Sequence, residues 1–191
     1  MSNILTANNM RYALIDELEY VNGNGLGVSL YTQGCSFQCK GCFNQKAWDF
    51  NDGKKWTKKA QEKFLNAIDK PYITRISILG GEPLSSENLY TLISLLCEIK
   101  NRFPDKKIWL YTGYTYEEIK TSAYFKGDWN VSGEINDEMA RWTCLYLSDV
   151  LVDGRYEEDK KDLSLRFRGS TNQRLIDVKA TLANNNISLI S

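Results

Sequence analysis

Three cysteines within eight residues are the feature that most constrains this chain of 191 residues. Cys35, Cys39 and Cys42 follow a C-x3-C-x2-C spacing on a short stretch that also contains glycines. A loop of this length can fold back so that three thiolates converge on one inorganic centre. A four-iron cluster needs one ligand for each iron, so three cysteines leave the fourth iron open to a ligand from outside the protein.

A structural zinc site is the alternative for these cysteines. The chain contains no histidine, so a fourth zinc ligand would have to be Cys97, Cys144 or a carboxylate. Cys97 lies beside the apolar stripe of a predicted helix and Cys144 lies among apolar residues, and we predict that both are buried thiols. Iron is therefore the favoured metal, with zinc left open.

The composition indicates one domain over residues 1–191. Hydrophobic residues make up 42% of the chain, which is enough for one sizeable core. Lys plus Arg and Asp plus Glu both number 24, so the formal charge is zero and nucleic-acid binding is not expected. No window reaches the ~18 apolar residues of a membrane span. Closely spaced cysteines favour a reducing compartment, so we expect a cytoplasmic protein.

Short apolar runs alternate with helical patterns along the chain. A glycine-rich turn at 21–25 precedes the first predicted strand. Thr57, Ser85 or Ser86, the capping box Thr115-x-x-Glu118, and Asn136 are predicted to begin helices. About five strands are expected, at 27–32, 75–79, 107–111, 149–154 and 175–178.

This alternation predicts an α/β fold with a parallel sheet and right-handed crossovers. Five strands are too few for a closed eight-stranded barrel, so we expect a partial, laterally open (β/α) barrel. We also predict an inserted excursion at about 125–135. The cysteine loop, the segment 80–83 and the segment 112–113 all follow strands and should gather at the carboxyl end of the sheet.

The segment Gly80-Gly81-Glu82-Pro83 has two interpretations. Glycines and proline after a strand are ordinary turn residues. Alternatively, the two glycines let a ligand lie against the backbone, whose carbonyls accept hydrogen bonds from an ammonium group, while Glu82 adds negative charge.

Together, the cysteine spacing and the Gly-Gly-Glu-Pro segment resemble the radical S-adenosylmethionine superfamily. The resemblance implies a [4Fe-4S] cluster on Cys35, Cys39 and Cys42, with S-adenosyl-L-methionine bound at its open iron. It implies cofactor contacts from a further set of residues in the two loops: Gly41, Cys42, Phe43, Gly80, Gly81 and Glu82. Gly41 departs from the superfamily, in which an aromatic residue often precedes the third cysteine.

Further segments are similar to the activating proteins of anaerobic ribonucleoside-triphosphate reductases. They are 109–114, 152–156 and 161–174, and with the cysteine loop the resemblance covers most of residues 20–178. It implies that the reduced cluster cleaves S-adenosylmethionine and that the 5'-deoxyadenosyl radical abstracts hydrogen from a glycine of the large reductase subunit. It also implies a one-electron donor such as flavodoxin.

Several roles stay open in the sequence. Arg166, Arg168, Asn172 and Gln173 are candidate contacts to the reductase or braces of a hydrogen-bonded turn. The 125–135 excursion and the tail after Val178 have no assigned role. No catalytic residue is predicted beyond the cluster ligands, because the chain has no histidine and no paired acid and base. Alternative functions are activation of another glycyl-radical enzyme, radical chemistry on a small molecule, or a non-catalytic metal or electron-transfer module.

Overall fold

Four parallel strands form the centre of the sheet in the computed structural model, which describes residues 9–125 and 136–190. The seven strands are β1 (Arg11–Glu19), β2 (Gly27–Thr32), β3 (Lys54–Lys55), β4 (Arg75–Gly80), β5 (Lys107–Tyr111), β6 (Val150–Asp153) and β7 (Arg174–Asp177). The helices are α1 (Lys58–Ile68), α2 (Ser86–Arg102), α3 (Tyr116–Phe125), α4 (Asp137–Tyr146) and α5 (Val178–Asn184), with short 3-10 helices at Gln45–Ala47 and Glu158–Lys160.

The strand order is β3-β1-β2-β4-β5-β6-β7. Strands β2, β4, β5 and β6 are parallel, while β1, β3 and β7 join the sheet in antiparallel pairs. The α/β class and the parallel centre are confirmed. The predicted count of about five strands was too low, because β1 and β3 were not recognised, and the last predicted strand runs antiparallel.

Helices cover one face of the sheet. Alternate residues of the central strands, including Leu30, Ile78 and Leu110, point into one large core together with the apolar stripes of the helices. The helix starts are confirmed at Thr57 and Asn136, whose side chains accept from the N–H groups of Ala60 and Met139. Thr115 and Glu118 form the predicted capping box at the start of α3.

Cys144 is buried in this core, as predicted, but the prediction for Cys97 was wrong. Cys97 is exposed on α2. The buried stripe of α2 includes Leu92, Leu96 and Ile99, and a residue that directly follows Leu96 lies about 100° around the helix, outside the stripe.

The opposite face of the sheet has a buried polar network at the amino end of the parallel strands. We call this the amino-end network, and its members are Glu19, Asn22, Ser29, Arg75 and Ser77. Arg75 is fully buried and its Nη1 lies 2.7 Å from Oε1 of Glu19. The hairpin turn between β1 and β2 supplies the carbonyl of Asn22, which accepts from Arg75 at 2.8 Å and from the Ser77 hydroxyl at 2.6 Å. The predicted turn therefore closes this end of the sheet.

The segment after β7, which the sequence left unassigned, is folded. It contains α5, begun by Asp177 as N-cap, and Leu189 forms a bridge with Ile176 of β7. The predicted excursion at 125–135 lies outside the described residues, apart from Phe125 at the end of α3. Among the residues that the structure describes, no helix has the length and apolar character needed to cross a membrane.

Candidate functional site

The three closely spaced cysteines line one cavity at the carboxyl end of the parallel strands. Cys35, Cys39 and Cys42 are free and partly exposed. The predicted gathering of the post-strand loops at this end is confirmed. We call the space the carboxyl-end cavity, and its lining includes Cys35, Phe37, Cys39, Cys42, Phe43, Gly80, Gly81, Glu82, Tyr111, Thr112, Gly113, Gly154, Arg155, Tyr156 and Gln173.

Backbone hydrogen bonds fix the cysteine loop against the segment that follows β4. The N–H of Gly81 donates to the Thr32 carbonyl at 2.8 Å, and the N–H of Glu82 donates to the Gly34 carbonyl at 2.7 Å. The N–H of Cys35 donates to the Trp48 carbonyl at 3.0 Å, which closes the loop on itself. The pairing of β2 with β4 thus continues beyond the strands, up to the first cysteine.

The close contact between the backbones of the two loops requires a glycine at position 81. A Cβ at this position would overlap the Gly34 carbonyl oxygen and would lie 2.9 Å from the Ala47 carbonyl oxygen. The absent side chain therefore makes room for the chain's own backbone, which the sequence interpretation of a ligand-facing glycine did not anticipate.

Gly41 forms part of the turn between Cys39 and Cys42. Its φ is +73°, which favours glycine, and a Cβ there would lie 2.7 Å from the Glu158 carboxylate carbon. The N–H of Cys42 donates to the Cys39 carbonyl at 3.1 Å within the same turn. A larger residue at 41 would disturb the turn and its packing on the Glu158 segment.

Burial raises the pKa of the Cys35 and Cys39 thiols. Backbone N–H groups next to the two sulfurs, including that of Tyr156 beside Cys39, act in the opposite direction on the pKa. A thiol must lose its proton to bind a metal, so metal binding at these cysteines would release protons.

The thiols do not form a cage for a single ion. Within residues 9–125 and 136–190, no three His, Cys, Asp or Glu side chains are placed to hold one metal ion together. A four-iron cluster takes each cysteine on a different iron, so its ligands stand farther apart than those of one zinc ion. The soft thiolate set on one loop fits such a cluster.

Glu82 connects two loops of the cavity from a buried position. Glu82 is only 2% exposed. Its Oε1 accepts from the Thr112 hydroxyl at 2.7 Å and from the Leu84 N–H at 2.8 Å. Its Oε2 accepts from the Gly113 N–H at 2.8 Å. Burial raises the pKa of Glu82, and these three donors oppose that rise. The carboxylate therefore holds the segment after β4 to the segment after β5.

Comparisons with known proteins show which families this chain resembles. The model of the 4Fe-4S single cluster domain family matches residues 21–176. The anaerobic ribonucleoside-triphosphate reductase-activating protein of Pasteurella multocida (strain Pm70) is 35% identical over 166 residues, which are 86% of this chain and 95% of that protein. Its counterpart in Enterobacteria phage T4 is 34% identical, with 87% of this chain and 93% of the relative covered. The Escherichia coli (strain K12) counterpart is 33% identical, with 86% and 96% covered.

The chain belongs to the family of anaerobic ribonucleoside-triphosphate reductase-activating proteins. The sequence resemblance to this family is thereby confirmed, and so is the assignment to an iron-sulfur domain family.

In this member of the activating-protein family, an aromatic and cationic group forms one wall of the cavity. The Phe37 ring packs edge-on against Tyr114, with 4.9 Å between ring centroids. The Arg155 guanidinium carbon lies 4.4 Å from the Phe37 ring centroid, and Arg155 Nη1 donates to Glu118 at 3.1 Å. Neither Phe37 nor Arg155 was among the predicted site residues. Arg155 directly follows the segment that ends β6, and the other loops after parallel strands lie at the same end. This position could have indicated that Arg155 is a site residue.

The candidate partner contacts near the C-terminus divide into two groups. Gln173 and Asn172 brace the turn, because Gln173 Nε2 donates to the Gly154 carbonyl at 3.0 Å and Asn172 Nδ2 donates to the Arg155 carbonyl at 2.8 Å. Arg168 also bonds within the turn, to the Gln173 carbonyl at 3.2 Å. Arg166 reaches across to Asn24 of the β1–β2 hairpin at 3.1 Å. The bracing role therefore has direct structural support in this activating-protein family member.

Proposed function

We propose that this chain activates an anaerobic ribonucleoside-triphosphate reductase by generating a glycyl radical on its large subunit. In this proposal Cys35, Cys39 and Cys42 hold a [4Fe-4S] cluster, and S-adenosyl-L-methionine binds beside it. When bound, the cluster and this cofactor supply one electron and a 5'-deoxyadenosyl radical, which takes hydrogen from the reductase glycine. The names of the relatives and the iron-sulfur family support this function.

The observation that carries the proposal is that three thiols line the cavity, while its described lining has no fourth cysteine and no carboxylate other than Glu82. Cys97 lies exposed on α2 and Cys144 lies in the helical core, so neither lines the cavity. The lining carboxylate, Glu82, already accepts three hydrogen bonds from the protein. Three cysteines of this kind leave one iron of a four-iron cluster open to the cofactor.

Other lining groups are suited to a bound cofactor. Phe43, next to the third cysteine, lines the cavity and is 90% exposed, so its ring is accessible to a bound cofactor. Tyr111 also lines the cavity, and its hydroxyl is buried without a hydrogen-bond partner among the described residues. We propose that Phe43 and the backbone of Gly41, Gly80 and Gly81 contact the cofactor, while Glu82 positions the loops.

The fold supports access by a protein substrate. Helices cover one face of the sheet, and the other face bears the amino-end network and a second small apolar cluster at Trp109, Val150, Val152 and Leu175. We propose that the sheet curves as a partial, laterally open (β/α) barrel, so that a glycine of the reductase can approach the cavity from the open side. A single domain, a cytoplasmic location and a one-electron donor such as flavodoxin complete the proposal.

Anaerobic reconstitution tests the proposal in three steps. Iron and sulfide analysis should give about four of each per chain, as a [4Fe-4S] cluster requires. Addition of dithionite and S-adenosylmethionine should release 5'-deoxyadenosine. A glycyl radical signal should appear in electron paramagnetic resonance spectra only after the large reductase subunit is added.

Each step separates one alternative. A zinc-only protein would identify a non-catalytic metal module. Release of 5'-deoxyadenosine without any radical on the reductase subunit would reject this partner and leave another glycyl-radical enzyme or a small molecule as substrate.

A further inference from the structure

We propose that two buried carboxamides, Gln33 and Asn88, are positioning residues for the cluster site, because they hold the cysteine loop closed and attach it to the segment after β4. We call these two residues the amide clamp. The inference rests on the proposed function, since it concerns how the proposed cluster and cofactor are held together. Neither residue lines the carboxyl-end cavity, so both act through the backbone of the loops.

Gln33 closes the base of the cysteine loop with its side chain. It is buried, directly follows β2 and lies two residues before Cys35. Its Nε2 donates to the Lys46 carbonyl and to the Asp49 carbonyl, both at 2.9 Å. These two acceptors belong to the segment by which the chain leaves the loop after the third cysteine. One side chain thus joins the entry of the loop to its exit.

Backbone hydrogen bonds beside Gln33 join the same two segments. The N–H of Gly34 donates to the Ala47 carbonyl at 2.8 Å, and the N–H of Cys35 donates to the Trp48 carbonyl at 3.0 Å. A loop that is closed at its base has fewer conformations, so less entropy is lost when its thiolates are held on one cluster.

Asn88 attaches the closed loop to the segment after β4. It is buried in the first turn of α2, and its Nδ2 donates to the Gln33 carbonyl at 3.2 Å and to the Glu82 carbonyl at 2.9 Å. Both neighbours of the amide nitrogen are carbonyl oxygens, which defines the orientation of the amide group. One residue therefore contacts the segment that leads to the first cysteine and the Gly-Gly-Glu-Pro segment.

Capping of α2 does not account for Asn88. Asn88 is the third residue of this helix, where a side chain contributes to a cap by accepting from the N–H of the N-cap residue, Ser85. The Oδ1 of Asn88 has no partner among the described residues, and the Ser85 N–H donates to the Glu82 carbonyl instead, at 3.1 Å. The Asn88 side chain thus acts through its two N–H donors, and both bonds go to loops of the site.

The two members of the clamp affect different properties of the site. All three cysteines lie between the segments that Gln33 joins, so Gln33 limits how far the thiols can separate. In the proposed function the cofactor contacts both the cluster and the backbone of Gly80 and Gly81, so its affinity depends on the distance between the two loops that Asn88 joins. Removal of supporting contacts around a metal site typically changes metal affinity or activity by about tenfold to a hundredfold.

Stability alone is the competing role for both residues. In that case the backbone bonds from Gly81 to Thr32 and from Glu82 to Gly34 fix the two loops without the clamp. Removal of the side-chain donors would then lower the unfolding midpoint and leave cluster retention and cofactor affinity unchanged.

The test uses the anaerobically reconstituted full chain and the variants Gln33→Met and Asn88→Leu, which keep the approximate size of each side chain and remove its donors. Gln61→Met is the matched control, because Gln61 donates to Glu98 at 2.6 Å between α1 and α2 and does not line the cavity. Four quantities are measured for each variant. They are the unfolding midpoint of the cluster-free chain, the rate at which an iron chelator removes the cluster, the dissociation constant for S-adenosylmethionine, and the electron paramagnetic resonance spectrum of the reduced cluster with and without S-adenosylmethionine.

In Gln33→Met, the chelator should remove the cluster at least about tenfold faster than from the wild type. In Asn88→Leu, the iron content should be retained, the dissociation constant for S-adenosylmethionine should rise about tenfold, and the spectral change caused by this cofactor should become smaller. Gln61→Met should lower the unfolding midpoint and leave the other three measurements as in the wild type.

Wild-type cluster retention and cofactor affinity in both clamp variants, with a lowered unfolding midpoint, would overturn the inference in favour of stability alone. If the two variants do not fold, hydrogen exchange in the cluster-free wild type decides. The N–H groups of Gly34 and Cys35 should exchange slowly before any cluster enters, and rapid exchange there would overturn the inference. Absence of an iron-sulfur cluster from the reconstituted wild type would instead reject the proposed function.

Discussion

The two ends of strand β4 have different surroundings: a buried ion pair at the amino end and an open cavity at the carboxyl end. At its amino end, Arg75 is fully buried and its guanidinium bonds to Glu19, Asn22 and Ser77. At its carboxyl end, Gly80 and Gly81 have no side chains and lead into a cavity with three free thiols. The amino end is closed by an ion pair and hydrogen bonds, whereas the carboxyl end presents three free thiols.

The two ends differ in how many of their polar side chains are already hydrogen-bonded within the protein. In the amino-end network, Glu19 accepts from Ser29, Val21 and Asn22 as well as pairing with Arg75. In the carboxyl-end cavity, the thiols of Cys35, Cys39 and Cys42 are free and partly exposed. A densely hydrogen-bonded network favours one conformation, although Nε of Arg75 has no partner among the described residues. Free, partly exposed thiols in a cavity are instead suited to a ligand. We therefore expect substitutions at the amino end to change stability and those at the carboxyl end to change binding.

The largest expected effect is at the carboxyl end, in Cys39→Ala. This change removes one of the three proposed cluster ligands, and we expect reconstituted iron to fall to near background with little change in the unfolding midpoint of the cluster-free chain. Cys97→Ala is the control, because Cys97 is exposed on α2, and it should retain full iron content. Iron and sulfide analysis together with urea unfolding measures both. A normal cluster in Cys39→Ala would contradict the proposed ligand set.

At the amino end, Glu19→Ala should have the largest effect on stability. It leaves the buried Arg75 guanidinium without its carboxylate, which costs about 3–5 kcal/mol of unfolding free energy. Glu17→Ala is the matched control, because Glu17 lies on the same strand and pairs with Lys63 at 2.8 Å on the exposed surface. Its unfolding midpoint should match that of the wild type. Urea denaturation measures the free energy of unfolding of both variants. An equal decrease in the two would show that the buried ion pair stabilises the fold no more than the surface pair does.

Gly81→Ala tests the junction between the two motifs of the cavity. The new methyl group would overlap the Gly34 carbonyl, and the required shift should cost about 1–3 kcal/mol and lower the iron content. Gly169→Ala is the control, since its Cβ would lie 3.1 Å from the Tyr156 ring, a side chain that can move. Denaturation and iron analysis are compared for the two variants. Equal iron content in Gly81→Ala and Gly169→Ala would contradict the role of Gly81 as a close backbone contact that the cluster site requires.

The smallest expected effect is a pH dependence of the amino-end network. Hydrogen bonds and the charge of Arg75 outweigh burial and hold the pKa of Glu19 below its ordinary value of 4.5. An acid with a lowered pKa in the folded state contributes its full stability above pH 4.5 and loses it as the pH falls. The stability advantage of wild type over Glu19→Gln should therefore be constant from pH 7 to about 5 and shrink below 4.5. An advantage that grows on acidification would exclude this account.

Much of the cavity could be predicted from the sequence because its parts follow local patterns. Strands β2, β4, β5 and β6 are apolar runs bounded by turn residues, and the parallel order brings the loops after them to one edge. The cysteine spacing and the capping box at Thr115 are likewise short-range signals. These elements were predicted close to their observed bounds.

The amino-end network was not predictable in the same way. Arg75 reads as an ordinary charged residue at a strand edge, and its partner Glu19 lies far along the chain, in β1. Strand β1 itself was missed because Leu14 and Leu18 are exposed, which obscures the alternation typical of a half-buried strand. The contact of Arg155 with Phe37 is also long-range. Such pairs depend on tertiary placement, which one sequence does not reveal.

The continuation of β2–β4 pairing beyond the strand ends has a consequence for chain length. The bonds from Gly81 to Thr32 and from Glu82 to Gly34 set how many residues can separate the strand from Cys35. One inserted residue at this point would shift the sulfur by about 3.3 Å along the chain and turn it toward the other side of the sheet. The spacer of two residues between Thr32 and Cys35 is thus a fixed dimension of the protein.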